Sequence, residues 1–355
     1  MTKKILFLPK YSRKGASSRL RTYQFLPLWE KEGFEVSVSP FFTNEYLCKI
    51  YSHQSPGYLH VLKCYLRRFF ILFTVGKYDL IIIEKEVFPY LPSIAEWILS
   101  KMKGYWIDFD DAVFHNYDQK SNRLVSLLMP KKIDHAMKMA NRVIVGNAYL
   151  RARAELAGAC RIEDFPTVID PIKYKAKISG DCKIITIGWI GSPSTLKYLE
   201  PMEPILNWLH DHYPIKFLLV NGTSKIKFKG DIESIPWTEE GEVDAIQKMD
   251  IGIMPLPDNP WERGKCAYKL IQYMACGLPV VASPTGMNKD VVVHGENGYL
   301  ADSNEEWIIA LGKLIQEPKL REDFGAAGRK KILKEFTLGG NFKRYKKLVE
   351  LELDK

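Results

Sequence analysis

Metal-ligand spacing is the plainest absence in this chain. Its six cysteines, at 48, 64, 160, 182, 266 and 276, form no CxxC pair and no ligand spacing with histidine. That pattern excludes a cysteine-based zinc or iron–sulfur centre, so no metal site is expected and the thiols are expected as small reduced hydrophobes. Long apolar runs are missing too. The longest, Phe69–Val75, is too short to span a bilayer. The chain passes from Met1-Thr-Lys-Lys straight into the strand-like Ile5–Leu8, so no secretory signal is expected. Neither GxxxxGK[ST] nor GxGxxG occurs, and there is no internal repeat or low-complexity tract.

What is present suits a globular protein of two domains: 355 residues, 46% hydrophobic and 26% charged. The charge is lopsided. Residues 1–180 hold 28 Lys and Arg against 17 Asp and Glu, while residues 181–355 hold 23 against 25. The basic half contains no recognisable nucleic-acid reader motif, which leaves an anionic membrane surface as the other explanation. The segment Tyr58–Phe73 mixes Lys63, Arg67 and Arg68 with large apolar residues. Two readings stand open for it, an interfacial helix and a core helix with a basic outer edge.

Short β-branched runs alternate with longer helical patterns. In the first half the strands are Ile5–Leu8, Glu35–Val38, Leu80–Ile83, Tyr105–Ile107 and Val143–Val145, with helices over Arg19–Lys31, Pro92–Lys103 and Ser121–Ala140. This alternation predicts a parallel sheet with crossover helices. The pattern restarts at Lys183–Gly191 and continues through Lys216–Val220, Ile251–Met254 and Val280–Ala282. A first Rossmann-like domain is therefore expected over residues 1–172 and a second over 173–340. A final helix, 341–355, can pack on either. Such sheets bind ligands at the carboxyl ends of their strands, and a cleft between two facing domains can hold a nucleotide and a second substrate.

The segment Lys265–Ser283 is expected to be a helix stopped by Gly277 and followed by a buried strand. Lys265, Lys269 and Gln272 then share one face opposite Ala267, Leu270 and Ile271, as a phosphate-binding row or a solvated stripe. Cys266 lies within the same segment. After the first strand, Gly15-Ala16-Ser17-Ser18 sits among Arg13, Lys14, Arg19 and Arg21. It is an anion loop, or else Ser17 or Ser18 is an ordinary N-cap. After the fourth strand, Asp108 and Asp110 are placed on one side and Asp111 on the other, with His115 beyond. Base chemistry, sugar-hydroxyl recognition, metal binding and helix capping all remain open there. In the second half, Gly191, Ser192, Ser194, Thr195 and Lys197 form a small-residue turn, and Asp258–Gly264 delivers Arg263 beside Lys265. Arg263, Lys265 and Lys269 together suit a diphosphate.

These segments resemble the retaining GT-B glycosyltransferases of the family 4 ("group 1") type. The likeness rests on Gln272–Ser283, on His294-Gly-Glu-Asn-Gly298-Tyr-Leu, on Gly146–Leu150, on Phe165–Asp170 and on the Gly15-Ala-Ser loop. The resemblance implies two facing Rossmann-like domains with the nucleotide sugar in the C-terminal one and the acceptor in the N-terminal one. It puts Gln272 where the family's second E-x7-E glutamate holds the ribose, and Gly264 where the first meets the sugar, with Glu262 nearby. It puts Ser192 at the usual arginine position with Lys197 close by, Trp237 near the base, and Asp110 where the family often has histidine. The implied chemistry is retaining transfer from a UDP- or GDP-sugar, with no cofactor required, to a saccharide or lipid-linked acceptor. Cell-surface polysaccharide or glycolipid synthesis is implied, in the cytoplasm or at the inner face of the cell membrane, without nucleic acid. The changed glutamates keep a second possibility open, a catalytically silent nucleotide-sugar-binding or partner protein.

Overall fold

The computed structural model of the chain describes residues 2–52, 54–119, 123–177, 183–221 and 226–354. Cys182 lies outside the described residues. Two compact units share the chain. The first comprises Met1–Thr167, Gly264–Cys266 and Asn341–Lys355, and the second comprises Val168–Arg263 and Ala267–Gly340. The sequence boundary of 172 thus corresponds to a division at Thr167, and a three-residue segment from the second half joins the first unit.

The first unit holds strands β1 (Lys4–Leu8), β2 (Glu35–Val38), β3 (Leu80–Glu84), β4 (Trp106–Phe109), β5 (Arg142–Val145) and β6 (Ile162–Asp164). They form one parallel sheet in the order β2-β1-β3-β4-β5-β6. The second unit holds β7 (Ile185–Ile190), β8 (Ile215–Val220), β9 (Ile232–Ile235), β10 (Ile251–Met254), β11 (Val280–Ala282) and β12 (Gly298–Leu300). Its sheet, also parallel, runs β12-β11-β10-β7-β8-β9. Both sheets meet the α/β expectation. Their orders reverse at different points, between β1 and β3 in the first unit and between β7 and β10 in the second, and ligands of open α/β sheets bind at such switch points.

Central strands are buried on both faces, which is why β1, β3, β7 and β10 read as continuous apolar runs. The edges β6 and β12 escaped sequence reading. Ile162-Glu163-Asp164 is half polar and only partly covered, so it carries no strand signature. The helix expected over Ser121–Ala140 is two, Arg123–Leu128 and Lys132–Met139, separated around Pro130. Proline lacks the N–H that the helix ladder requires. The C-terminal helix Leu338–Leu353 brings Phe342 and Tyr345 onto Trp29, with Tyr345 also meeting Phe25, Trp106 and Phe165. These rings make an aromatic cluster within the first unit.

Candidate functional site

At the second unit's switch point, β7 is followed by Gly191 and the chain turns through Ser192 into a 3-10 helix, Pro193–Met202. A side chain at Gly191 would lie 2.3 Å from the Trp189 ring, so only glycine lets the backbone fold back here. The Ser192 N–H donates to the Thr195 hydroxyl at 3.2 Å, and Ser192 and Ser194 share a hydroxyl contact of 2.9 Å. Lys197 is exposed beyond them. The result is a short polar turn in which the Gly191 and Ser192 N–H groups donate to the Val220 carbonyl and the Thr195 hydroxyl, and small hydroxyls form the rim.

The neighbouring helix starts later than expected. It runs Tyr268–Ala275, with Ala267 left-handed at φ 50 as its N-cap. Lys265 and Cys266 lie outside it and belong to the first unit. The expected Lys265–Lys269–Gln272 row is therefore not one helical face. The Tyr273 hydroxyl accepts from the Ile190 N–H at 2.8 Å and fixes the helix to the end of β7. Arg329 caps its far end by donating to the Ala275 carbonyl and, at 2.8 Å, to that of Tyr174. Lys269 places its ammonium 4.8 Å from the Trp189 ring centre, a cation–π position.

Gln272 is buried rather than solvated. Its amide donates to the Tyr174 hydroxyl at 2.8 Å, and that hydroxyl donates to Glu242 at 2.6 Å. Glu242 also accepts from Trp237 Nε1 at 3.0 Å and from Lys173 at 2.8 Å. Burial, followed by the neighbouring Tyr268 and Glu242, pushes the Tyr174 hydroxyl well above its ordinary pKa, so it stays a donor. One chain of bonds thus links Gln272 to Trp237. Neither Tyr174 nor Glu242 was singled out in the sequence, because each becomes informative only through its neighbours.

Two further positions are already engaged within the chain. Arg263 donates twice to Asp258, at 2.7 and 2.8 Å, so its charge is already paired, although the side chain is largely exposed. That ion pair holds the Asp258 carboxyl below its usual range, chiefly through the hydrogen bond from Arg263. Gly264 is packed so that a side chain would lie 2.5 Å from the Ala112 Cβ and 2.6 Å from its backbone nitrogen. A side chain at this position would have to displace Ala112. Glu262, in the short helix Pro260–Arg263, is buried and accepts a 2.5 Å bond from the Tyr198 hydroxyl.

The first unit's switch point is built from charge. Gly15 is the N-cap of the helix Ala16–Arg21, and a side chain on it would strike Tyr11. Neither Ser17 nor Ser18 is the cap. Ser18 accepts from the Tyr11 N–H at 2.9 Å, and Ser17 accepts from Lys85 at 2.9 Å. Arg21 donates to both oxygens of Asp108, at 2.8 and 2.5 Å, and to the Phe165 carbonyl at 2.7 Å. Lys85, left-handed at φ 68, reaches Asp110 at 2.8 Å and Asp111 at 3.3 Å. Asp111 therefore shares the ammonium of Asp110 instead of lying opposite. Burial works to raise the Asp110 carboxyl, but the charge of Lys85 and bonds from Lys85 and Ser17 outweigh it and hold the pKa low. No aspartate caps the following helix, His115–Asp118, whose N-cap is Phe114. His115 is held between Asp118 at 2.7 Å and the Tyr149 hydroxyl at 2.8 Å.

Lys265 presents its carbonyl to Asn147 at 3.0 Å, and the Cys266 thiol donates to the Asp110 carbonyl at 3.2 Å. Burial pushes that thiol pKa up, so Cys266 is a packing group and not a nucleophile. Glu84, at the end of β3, was missed in the sequence. It is buried beside Ser18 and Lys85, with neither carboxylate oxygen in hydrogen-bonding geometry, and burial first of all pushes its pKa up to about 7. Among the described residues, no group of three His, Cys, Asp or Glu is arranged to hold a metal ion.

Residues 228–331 match the family described as glycosyl transferases group 1. An uncharacterized glycosyltransferase of Methanocaldococcus jannaschii is 35% identical over 205 residues, covering 53% of this chain and 50% of that protein. The chain thus spans about half the length of the curated relative it matches. Among solved structures, sucrose-phosphate synthase from Thermosynechococcus elongatus aligns over 98% of both chains, with TM-score 0.72 and 14% identity. Anabaena HepE, solved in complex with UDP-glucose, aligns over 98% of this chain and 99% of its own, with TM-score 0.67 and 16% identity. The likeness to these structures is one of fold, and it is the GT-B fold.

Proposed function

We propose that this chain is a hexosyltransferase-type glycosyltransferase that moves a sugar from a nucleotide-diphosphate donor to a saccharide or lipid-linked acceptor with retention. The observation that carries the reading is the second unit's switch point. There a glycine-dependent turn, Lys269 and the buried Gln272–Tyr174–Glu242–Trp237 chain lie within or beside a segment that matches the group 1 family. In this reading Gln272 hydrogen-bonds the ribose diol and Trp237 packs on the base. The Gly191–Ser192 turn, Lys197 and Lys269 meet the diphosphate. A UDP-sugar is the first candidate donor, in line with the UDP-glucose held by HepE, and a GDP-sugar the next.

Transfer then needs positioning and leaving-group stabilisation more than covalent help from the protein. The bond from the sugar's anomeric carbon to the diphosphate breaks, and the acceptor oxygen bonds that carbon on the same face. The acceptor's proton passes to the departing phosphate oxygen. Asp110, kept ionised by Lys85, is suited to accept a hydrogen bond from the acceptor hydroxyl, and Glu262 to orient the transferred sugar. The basic first unit is suited to a lipid-linked acceptor at the inner face of a membrane. Among the described residues no helix is long and apolar enough to cross one.

A second reading has one specific observation in its favour. Gly264 leaves no room for the glutamate of E-x7-E, which fits a silent nucleotide-sugar binder. Thermal-shift screening against UDP-, GDP-, ADP- and CMP-sugars, followed by transfer assays with membrane-lipid acceptors, separates the two. Donor binding with product of retained anomeric configuration supports transfer. Binding without any turnover or hydrolysis supports the silent protein, and no binding at all removes both.

A further inference from the structure

The helix Tyr58–Leu72 is turned the wrong way round for a helix facing water. Its inward face buries Cys64 and Arg68, with Arg68 donating to the carbonyls of Pro9 at 3.0 Å and Ser39 at 2.9 Å. Its outward face carries Leu59, Leu62, Leu66, Phe69 and Phe70, continued by Phe73, all between 40% and 73% exposed. That spacing of three and four residues makes one continuous apolar stripe on the solvent side. A surface helix of a soluble protein has the opposite arrangement.

The next crossover helix repeats the anomaly. In Ile94–Met102 the buried positions include Ala95, Glu96 and Leu99, while Ile94, Trp97, Ile98 and Met102 are between 44% and 62% exposed. The crossovers β2 to β3 and β3 to β4 advance in the same direction across the sheet, so right-handed connections place both helices on one face. Tyr65 ties the first helix to the loop before the second, donating to the Pro89 carbonyl at 2.5 Å and stacking on Phe88.

We propose that these two outward helix faces form a docking surface for an anionic lipid bilayer. The charge of the patch selects that occupant. Over residues 54–104 the exposed ionisable side chains include Lys63, Arg67, Lys77, Lys101 and Lys103, with Asp79 the one exposed acid, because Glu84, Glu86 and Glu96 are all buried. Lys63 and Arg67 follow Leu62 and Leu66 directly and border the stripe. A hollow of about 730 Å³ adjoins them, lined by Lys49, His60, Lys63 and Arg67 together with Glu45, and is wide enough for a phosphate headgroup. Apolar side chains enter the headgroup boundary while the cations meet anionic lipid. A second copy of the chain is a poorer fit, since a twofold contact would oppose this predominantly cationic surface to itself.

The inference deepens the reading of a membrane-located acceptor, and rests on that reading for its biological role, but its test needs no transfer. The full chain is floated with vesicles of phosphatidylcholine alone and of phosphatidylcholine with a quarter phosphatidylglycerol. Binding to the anionic vesicles is expected, weakened by salt, with little binding to neutral ones. Leu66→Glu with Phe70→Glu, both at exposed positions, should lower partitioning at least about tenfold. Lys63→Glu with Lys101→Glu should lower it on anionic vesicles only. Circular dichroism and the thermal shift with UDP-sugar should match wild type for both pairs. Wild-type protein that stays off anionic vesicles, or an apolar pair that binds as wild type, overturns the inference. So does a wild-type dimer that the apolar pair dissociates while vesicle binding is unchanged. Absent vesicle binding with intact UDP-sugar binding sinks the docking surface alone, and the converse sinks the donor reading alone.

Discussion

The two switch points solve the same geometric problem with opposite materials. At the ends of β1, β3 and β4 the first unit buries Glu84, Lys85 and Asp108, with Asp108 paired to Arg21 and Lys85 to Asp110 and Asp111. At the ends of β7 and β10 the second unit uses Gly191, small hydroxyls, the Tyr273 hydroxyl and an amide. A preformed ionic lattice fixes side chains in place but leaves few cations uncommitted. A neutral, glycine-shaped turn is lined by small hydroxyls and carries no side-chain charge of its own, which suits a ligand that brings its charge. The difference supports placing the proposed anion site on the less charged of the two units, contrary to what net charge alone suggests.

The sharpest way to break the comparison is to remove one partner from the first unit's lattice. Arg21→Met leaves Asp108 buried without its two hydrogen bonds, and about 3–5 kcal/mol of stability should be lost. Arg21→Met with Asp108→Leu should recover much of it, because both charges then vanish. Denaturant melts of the single and double variants check this. If Arg21→Met melts like wild type, the buried pair is not structural.

Glu84 gives the same lattice a pH signature. The unfolded carboxyl titrates near 4.5 and the folded one near 7, so between these values the folded state keeps a proton that the unfolded chain has released. Stability should therefore fall as pH rises through that window, by roughly 3 kcal/mol in all. Glu84→Gln should flatten the fall, leaving stability near pH 4 little changed and raising it above pH 7. Urea melts across this range read the slope directly. An unchanged slope in Glu84→Gln would assign the pH dependence elsewhere.

Legibility followed burial and locality. The central strands stood out in the sequence because both their faces are apolar, and Ile251–Met254 and Val280–Ala282 match residue for residue. Ile162–Asp164 did not, since it is half polar and only partly covered, whereas the edge strand Glu35–Val38 did. Among candidate site residues, Gly191 and Lys269 could be singled out because a turn and a helix are local signals. Glu84, Tyr174 and Glu242 were missed because their meaning depends on partners far along the chain. Tyr174 lies 98 residues from Gln272 and 68 from Glu242. The start of the Tyr268–Ala275 helix was misplaced for a related reason: Lys265 and Cys266 have helical spacing, but packing of Gly264 on Ala112 and the left-handed Ala267 delay the first turn to Tyr268.

Gly191→Ala tests the neutral side of the comparison at moderate cost. The new methyl would meet the Trp189 ring and the Thr195 hydroxyl, so overpacking of about 1–3 kcal/mol is expected together with weaker donor binding. A melt separates the first effect, and titration with a UDP-sugar the second. Unaltered donor affinity in a folded Gly191→Ala protein would remove the turn from the site.

The smallest effect on stability should come from Lys269, and it is the one that speaks most directly to the ligand. Its ammonium lies over Trp189, and losing that contact should cost only about 0.5–1 kcal/mol of stability. If the same ammonium meets the donor diphosphate, Lys269→Ala should weaken UDP-sugar binding about tenfold, near 1.4 kcal/mol. The loss should shrink as salt is added, because screening already reduces the wild-type interaction. Arg263→Ala is the paired control. Asp258 holds both ends of that guanidinium, so its removal should alter affinity less than removal of Lys269. Calorimetric titration of the two variants at low and high salt ranks them. An Arg263 effect larger than that of Lys269 would mean that the donor displaces Asp258 and takes its place on the guanidinium.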